Sequence, residues 1–231
     1  MDFTIRDARP SDGEFIARNV LAAMGYDVFP GADSDQRIEI GAVSMGVEEA
    51  VRAFGAICAR PDTLYSFART RIACVDGKAV GSLTAYSGDD YPAVKKLTWS
   101  LLDSVFEGSG FSCSSRQNTS TDEDTSKTTD NNQANASEPE CLPGEFYLDS
   151  MAVLPEFRKM TFEHSGTTDR IGHLLMLDGI EGRRKGLPRI SLIVDKIKPR
   201  LFTYYSALGF RSDGETLFFG HLYDRMIKDL D

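Results

Sequence analysis

Cysteine is scarce in this chain. There are four in 231 residues, Cys58, Cys74, Cys113 and Cys141, and no two form a CxxC pair. That spacing argues against a zinc module, and a chain of this length does not call for a disulfide framework. The thiols are expected to be reduced, as in a cytoplasm. Histidine is scarcer still: His164, His173 and His221 are not spaced as a ligand pair, so no metal site is expected. Basic charge is in deficit, with 26 Lys and Arg against 35 Asp and Glu, a net charge of −9. This argues against a nucleic-acid partner, which would be met by a basic face. The acidic balance suits a cationic substrate. No apolar run approaches the ~18 residues of a membrane span, and Met1–Arg6 lacks the basic and apolar regions of a signal peptide. No membrane partner is expected. Oligomeric state is not legible.

What is present is an ordinary globular composition, 41% hydrophobic and 26% charged, long enough to bury a sizeable core. Phe3–Arg6 reads as a first strand. Ser11-Asp-Gly-Glu14 has the spacing of a capping box ahead of a helix that Gly25 can end. A second helix carries Val47, Val51, Phe54 and Cys58 on one face and stops at Arg60-Pro61. Ser66–Val75 and Ala79–Tyr86 read as a hairpin around Asp76-Gly77. Asp89 or Asp90 can cap a third helix with Val94, Leu97, Leu101 and Val105 as its apolar positions. Trp99 on that helix is expected to pack against the sheet.

Residues 109–140 are Ser, Thr, Asn, Asp and Glu with almost no large apolar side chain. Such a tract cannot bury enough surface to offset ordering entropy. It is expected to be a disordered, polar, acidic insertion within one domain spanning 1–231, since a long surface loop adds little closure entropy. Beyond it, Phe146–Val153 reads as a strand stopped by Pro155, and Glu156–Asp169 as a polar loop. Arg170–Arg184 reads as a helix with Ile171, Leu174, Leu175 and Ile180 inward. Arg189–Asp195 reads as a strand, Pro199–Ala207 as a short helix with Pro at its first position, and Leu217–Tyr223 as a last strand.

The order strand, loop, helix, strand, helix from Phe146 to Phe210 resembles the acetyl-CoA-binding half of the GNAT superfamily of N-acetyltransferases. The segment Lys198-Pro-Arg-Leu-Phe-Thr-Tyr204-Tyr205-Ser-Ala-Leu-Gly-Phe210 aligns without a gap with that superfamily's Asn-to-Gly-Phe pattern. Ile5-Arg-Asp-Ala-Arg-Pro-Ser-Asp12 also looks like a GNAT opening. The resemblance implies an α/β fold with a mixed, mostly antiparallel sheet and helices on both faces. It implies transfer of an acetyl group from acetyl-CoA to a primary amine by direct attack. The competing reading is a GNAT-like binding or regulatory module with an impaired CoA site, and transfer of a longer acyl group is a third.

The resemblance also implies roles residue by residue. Met151, Ala152 and Val153 would pair through their backbones with the peptide-like pantetheine arm. Tyr205 stands where the superfamily commonly has a tyrosine that donates to the CoA sulfur, and a phenol's pKa near ~10 suits a departing thiolate. Lys198 stands in place of the usual Asn. The diphosphate loop has two readings. Either Thr167-Thr-Asp-Arg-Ile-Gly-His173 carries it, with Arg170, Ile171, Gly172 and His173 at the helix start, or Arg158 leads a longer loop. Asp149 is the candidate base, and Glu145 the next.

Overall fold

A computed structural model of the chain describes residues 1–31, 36–40, 43–106, 140–183, 186–218 and 221–230. Strand β1 (Phe3–Asp7) leads into helix α1 (Gly13–Ala23). A small hairpin, β2 (Arg37–Ile40) with β3 (Val43–Gly46), precedes α2 (Val47–Cys58). Then come β4 (Thr70–Val75), β5 (Lys78–Ser87), α3 (Tyr91–Val105) and β6 (Glu145–Val153). A second small hairpin, β7 (Thr161–His164) with β8 (Thr167–Arg170), precedes α4 (Ile171–Arg183). The described chain closes with β9 (Arg189–Asp195), α5 (Pro199–Ala207), β10 (Arg211–Phe218) and β11 (His221–Asp229).

The main sheet has the order β1-β4-β5-β6-β9-β11-β10. Every neighbouring pair is antiparallel except β6 and β9. Helices α1, α2 and α3 bury Ile16, Val51, Phe54 and Trp99 against one face with Ile72 and Tyr147. Helix α4 buries Ile171, Leu174 and Leu175 against the other with Leu83, Phe146 and Ile190. The sheet and both helical layers are those of the GNAT fold implied by the sequence.

Local chemistry explains the strongest elements. The β4–β5 connection is the two-residue turn Asp76-Gly77, both at positive φ (48° and 77°), which suits the twist of a hairpin. Gly25 at φ 105° ends α1: its N–H reaches Ala22 O at 3.1 Å and the Tyr26 N–H reaches Leu21 O at 3.1 Å. Helices α1 and α2 cross at Gly13 and Gly55, where a Cβ on Gly13 would fall 2.5 Å from Gly55 O.

Several expectations are corrected. The reciprocal cap before α1 is made by Asp12, whose Oδ2 accepts from Arg9 N at 2.7 Å, rather than by Ser11 and Glu14. On α3, Val94 and Leu101 pack against the core as expected, but the buried residues are Tyr91, Thr98, Trp99 and Leu102, and Val105 is exposed. The polar stretch after Pro155 contains the β7–β8 hairpin. The last expected strand, Leu217–Tyr223, straddles a junction between two strands, β10 and β11, that pair with each other. Of the tract 109–140, all but Glu140 lies outside the described residues. Glu140 is buried, only 4% exposed, so the expected polar insertion does not extend to it.

Candidate active site

Strands β6 and β9 pair only from Glu145/Arg189 to Tyr147/Ser191. Beyond that point β9 follows β11 as far as Asp195/Tyr223, and β6 follows β5 as far as Val153/Gly81. The two central strands therefore part and leave a cavity of about 540 Å³ between them. That volume lies within the ordinary range for a small-molecule pocket.

A register shift lies at the mouth of this split. Thr84 pairs with Ser150 and Ala85 with Leu148, so Asp149 is an extra residue in β6. A bulge of this kind changes which side chains share a face. Before it Phe146 and Leu148 join the α4-side core, and after it Met151 and Val153 do. The parity has switched, and Asp149 is the residue over which it switches.

Asp149, Met151 and Ala152 line the cavity. So do Val153, Arg158, Lys198 and Tyr205. Strand alternation assigns different work to 151–153. Leu154 N donates to Val80 O at 2.8 Å, and Ala152 O lies against Gly81. Residues 152 and 154 thus direct their backbone groups to β5, and 151 and 153 direct theirs into the split. The backbone role expected of Ala152 is corrected on this ground. Val153 O already accepts from Arg158 Nε at 2.9 Å, and the Arg158 guanidinium lies 5.5 Å from the centre of the Phe29 ring.

Asp149 is held by two hydroxyls. Tyr86 OH donates to Oδ2 at 2.5 Å and Ser150 Oγ to Oδ1 at 2.6 Å. Burial raises its pKa, against the pull of these two bonds. Glu145, the alternative base, is occupied elsewhere. Its carboxylate meets Arg225 Nη2 at 2.5 Å and accepts from Leu142 N at 3.0 Å. Tyr205 sits edge-on to Phe210, with ring centres 5.7 Å apart, and burial pushes its phenol up to about 12. Lys198 stands at the start of α5, its N–H bonded to Asp195 O at 2.8 Å.

The residues expected at the diphosphate loop are differently arranged. Arg170 ends β8, and the helix begins after it. Ile171 is 1% exposed and belongs to the core, so only its backbone is free for a ligand. Gly172 lies beside Met151, where an added Cβ would be 3.6 Å from Met151 Cε, an ordinary contact. His173 Nδ1 is 2.6 Å from Asp169 Oδ2, and Asp169 Oδ1 accepts from Arg170 N at 2.6 Å. A carboxylate is thus already seated at the amino end of α4, with its pKa lowered by His173 and by that backbone N–H. None of Arg170, Ile171, Gly172 or His173 lines the 540 Å³ cavity.

The β7–β8 hairpin does not cross the cavity. Phe162 stacks on Phe3 of β1 with ring centres 4.9 Å apart, and His164 lies 3.2 Å from Asp178 of α4. Strand β1 is three places from β6 in the sheet.

Sequence reasoning missed a second group beside Asp149. Tyr91 OH donates to Glu140 Oε1 at 2.7 Å, and Tyr147 OH to Glu140 Oε2 at 3.1 Å. The rings of Tyr86 and Tyr147 lie 5.6 Å apart. Tyr147 and Asp149 are two residues apart on one strand, a signal available in the sequence. Glu140 carried no such signal at the end of a polar tract. Among the described residues no group of three His, Cys, Asp or Glu is arranged to hold a metal.

This chain, with its sheet divided between two parallel strands and helices on both faces, shares its fold with solved acetyltransferase structures. A solved acetyltransferase structure is 22% identical, over 99% of this chain and 100% of that one, with a TM-score of 0.61. An N-acetyltransferase from Staphylococcus aureus Mu50 is 19% identical over 97% and 99%, with a TM-score of 0.62. A structure described as histone acetyltransferase HPA2 and related acetyltransferase, from Corynebacterium glutamicum ATCC 13032, is 17% identical over 100% and 98%, with a TM-score of 0.54. At these identities the likeness is one of fold. Comparison with protein-family models and with curated proteins gives no match.

Proposed function

We propose that this chain is a GNAT N-acetyltransferase that moves the acetyl group of acetyl-CoA to a primary amine by direct attack. The observation that carries the reading is the cavity between β6 and β9. It gathers Asp149, Met151 and Val153 from β6 and Lys198 and Tyr205 from the start and body of α5 onto one surface.

The chemistry follows from what these groups can do. Met151 and Val153 offer the backbone donors and acceptors that an amide-bearing pantetheine arm needs to lie alongside β6 as an added strand. Arg158 and Lys198 bring cationic charge toward its phosphates, and the first N–H groups of α4, near Met151, are the natural place for the diphosphate. Asp149 takes a proton from the acceptor's ammonium, and its raised pKa makes it a better base for that step. The freed amine nitrogen forms a bond to the thioester carbonyl carbon, and the carbon–sulfur bond breaks. Tyr205 hydrogen-bonds to the departing thiolate and relays to it the second proton that the nitrogen loses, so that CoA leaves as the thiol and the product is the neutral amide.

The acceptor is a small or peptidic amine, with nucleic acid and membrane outside its chemistry. The acidic net charge of −9 supports a cationic partner. A cytoplasmic location belongs to the same proposal, supported by the buried free thiols of Cys58, Cys74 and Cys141. No helix among the described residues is long and apolar enough to cross a membrane.

Calorimetry with acetyl-CoA, followed by a thiol-release screen over a panel of amines, tests the reading. Micromolar binding with release of CoA on at least one amine is the expected result. No binding at millimolar acetyl-CoA overturns it and leaves a GNAT-like module without a cofactor.

A further inference from the structure

The mechanism above leaves one buried ionisable group without a task. Glu140 lies in an aromatic pocket on the α1–α3 side of the sheet, next to the pocket wall that carries Asp149. Two phenols hold its oxygens, Tyr91 from α3 and Tyr147 from β6. Asp149 is held in the same way by Tyr86 from β5. The three rings are in contact: Tyr86 stacks on Tyr91 with centres 6.1 Å apart and tilts against Tyr147 at 5.6 Å. Two carboxylates thus flank one aromatic cluster, Glu140 buried within it and Asp149 on the side that lines the cavity, and hydroxyl donors rather than guanidinium groups satisfy them.

Other charged or titratable groups bear on this pocket: burial, with the charges of Asp195 and Glu140, raises the Tyr223 phenol of β11, and burial, with Glu140, Asp149 and Glu145 of β6, raises the Cys141 thiol. From α3, Lys95 holds its ammonium 5.1 Å from the Tyr91 ring centre and 5.8 Å from Trp99. Arg69, before β4, lies 6.0 Å from the Tyr86 ring and donates to Thr63 O. Tyr65 packs against Trp99, and Cys141 adjoins Glu140 in the chain. Burial and the charge of Asp149 together raise Glu140 to about 7, and Lys95 opposes the rise. Removing water strengthens the repulsion between two such carboxylates, so they do not ionise independently.

We propose that Glu140 is a positioning residue for Asp149, the two carboxylates forming one proton-holding unit across the buried tyrosines. Its part in turnover rests on the transferase reading, but the coupling itself does not. When Asp149 takes a proton from the acceptor ammonium, an N–H bond breaks and an O–H bond forms. The negative charge that opposed ionisation of Glu140 is then gone, and Glu140 loses its own proton to water. The unit carries one proton before and after the transfer. Below neutral pH the pair therefore holds neither two full negative charges nor two neutral acids for long.

The decisive experiment is a carbon-13 carboxyl titration of the free protein, labelled at Asp and Glu, with no CoA present. In the wild type Glu140 is expected to titrate near neutral pH. In Asp149→Asn its midpoint is expected to fall by roughly one pH unit, the size that marks a coupled pair. An unmoved Glu140 midpoint overturns the proposal. This arm keeps Glu140 intact, so it decides the matter even where Glu140→Gln folds poorly. In Glu140→Gln, which can still bond to both phenols, the acid limb of the kcat profile is expected to stay, since Asp149 ionises while Glu140 is still protonated. Above neutral pH, where ionised Glu140 strengthens the hold of Asp149 on a proton, kcat is expected to fall by up to about tenfold, the equivalent of one pH unit. An unchanged profile overturns the role in turnover. Coupled titration without activity on any amine overturns the transferase reading and leaves the carboxylate pair standing.

Discussion

Replacing Tyr205 by phenylalanine removes one hydroxyl and keeps the ring. The contacts with Phe210 and Tyr204, at ring distances of 5.7 and 5.2 Å, survive, so stability should change by no more than ~0.5 kcal/mol. The effect on rate follows from the phenol's acidity. Burial pushes Tyr205 up to about 12. A free thiol titrates near ~8.5, so complete transfer to a thiolate is uphill by ~5 kcal/mol at 1.36 kcal/mol per unit. Tyr205 therefore acts best as a hydrogen-bond donor to developing negative charge. Its contribution should lie at the low end for acid catalysis, ~10²-fold in kcat, or about 2.7 kcal/mol. Thiol release under saturating amine measures kcat and KM. Calorimetry measures acetyl-CoA affinity, which should stay within twofold. Wild-type kcat in Tyr205→Phe would refute the acid role. Loss of affinity with unchanged kcat would reassign the hydroxyl to cofactor binding.

Arg225 is 7% exposed and holds Glu145 and Asp213. Arg225→Met leaves buried Glu145 with only the Leu142 N–H and the more distant Arg189, 4.0 Å away, at a cost of up to ~3–5 kcal/mol. A fall in Tm of roughly 10 °C in thermal unfolding is the expected result for a chain of this size, and Glu145→Gln in the same protein should recover part of it. Asp169→Asn keeps an acceptor at the start of α4 and removes a charge that would oppose a diphosphate there. Acetyl-CoA should bind two- to five-fold tighter at low salt, equivalent to ~0.3–1 kcal/mol, and weaker binding in a titration would place the phosphates elsewhere. Glu140 is raised from 4.5 to about 7, so between those values the folded chain holds a proton that the unfolded chain has lost. Stability from this group is full below 4.5, falls as pH rises to 7 and is flat above. Urea unfolding of the wild type and Glu140→Gln should diverge across that window by about 3 kcal/mol. Parallel curves would contradict the raised pKa.

The elements with strong local signals were legible. Helix α2, strand β9 and helix α5 fall where their caps, breakers and apolar spacing put them. Arg60-Pro61 stops the first, and Pro199 starts the last. The hairpin at Asp76-Gly77 was fixed by two residues that accept positive φ. Around the site, Tyr205 could be singled out because its neighbours up to Phe210 form a continuous pattern. Other features left no local trace. On α3, Val94 and Leu101 were placed correctly, but two of the most buried positions, Tyr91 and Thr98, were missed because they are not simple aliphatics. The β7–β8 hairpin was missed because its strands are polar and four residues long, and its stability comes from Phe162 on Phe3, far away in the chain.

By itself the sequence determined the order and kind of most elements, the GNAT architecture that this order implies, and an acidic surface. These depend on spacing, turn residues and composition, which act over a few neighbours. Only the tertiary structure decided that β6 and β9 part after three residue pairs, that Asp149 is the bulged residue, and that Glu140 is buried beside it. Each of those outcomes depends on partners distant in the chain, Glu145 with Arg189, Tyr86 with Asp149 and Tyr91 with Glu140, for which loop closure and burial, not local preference, determine the arrangement.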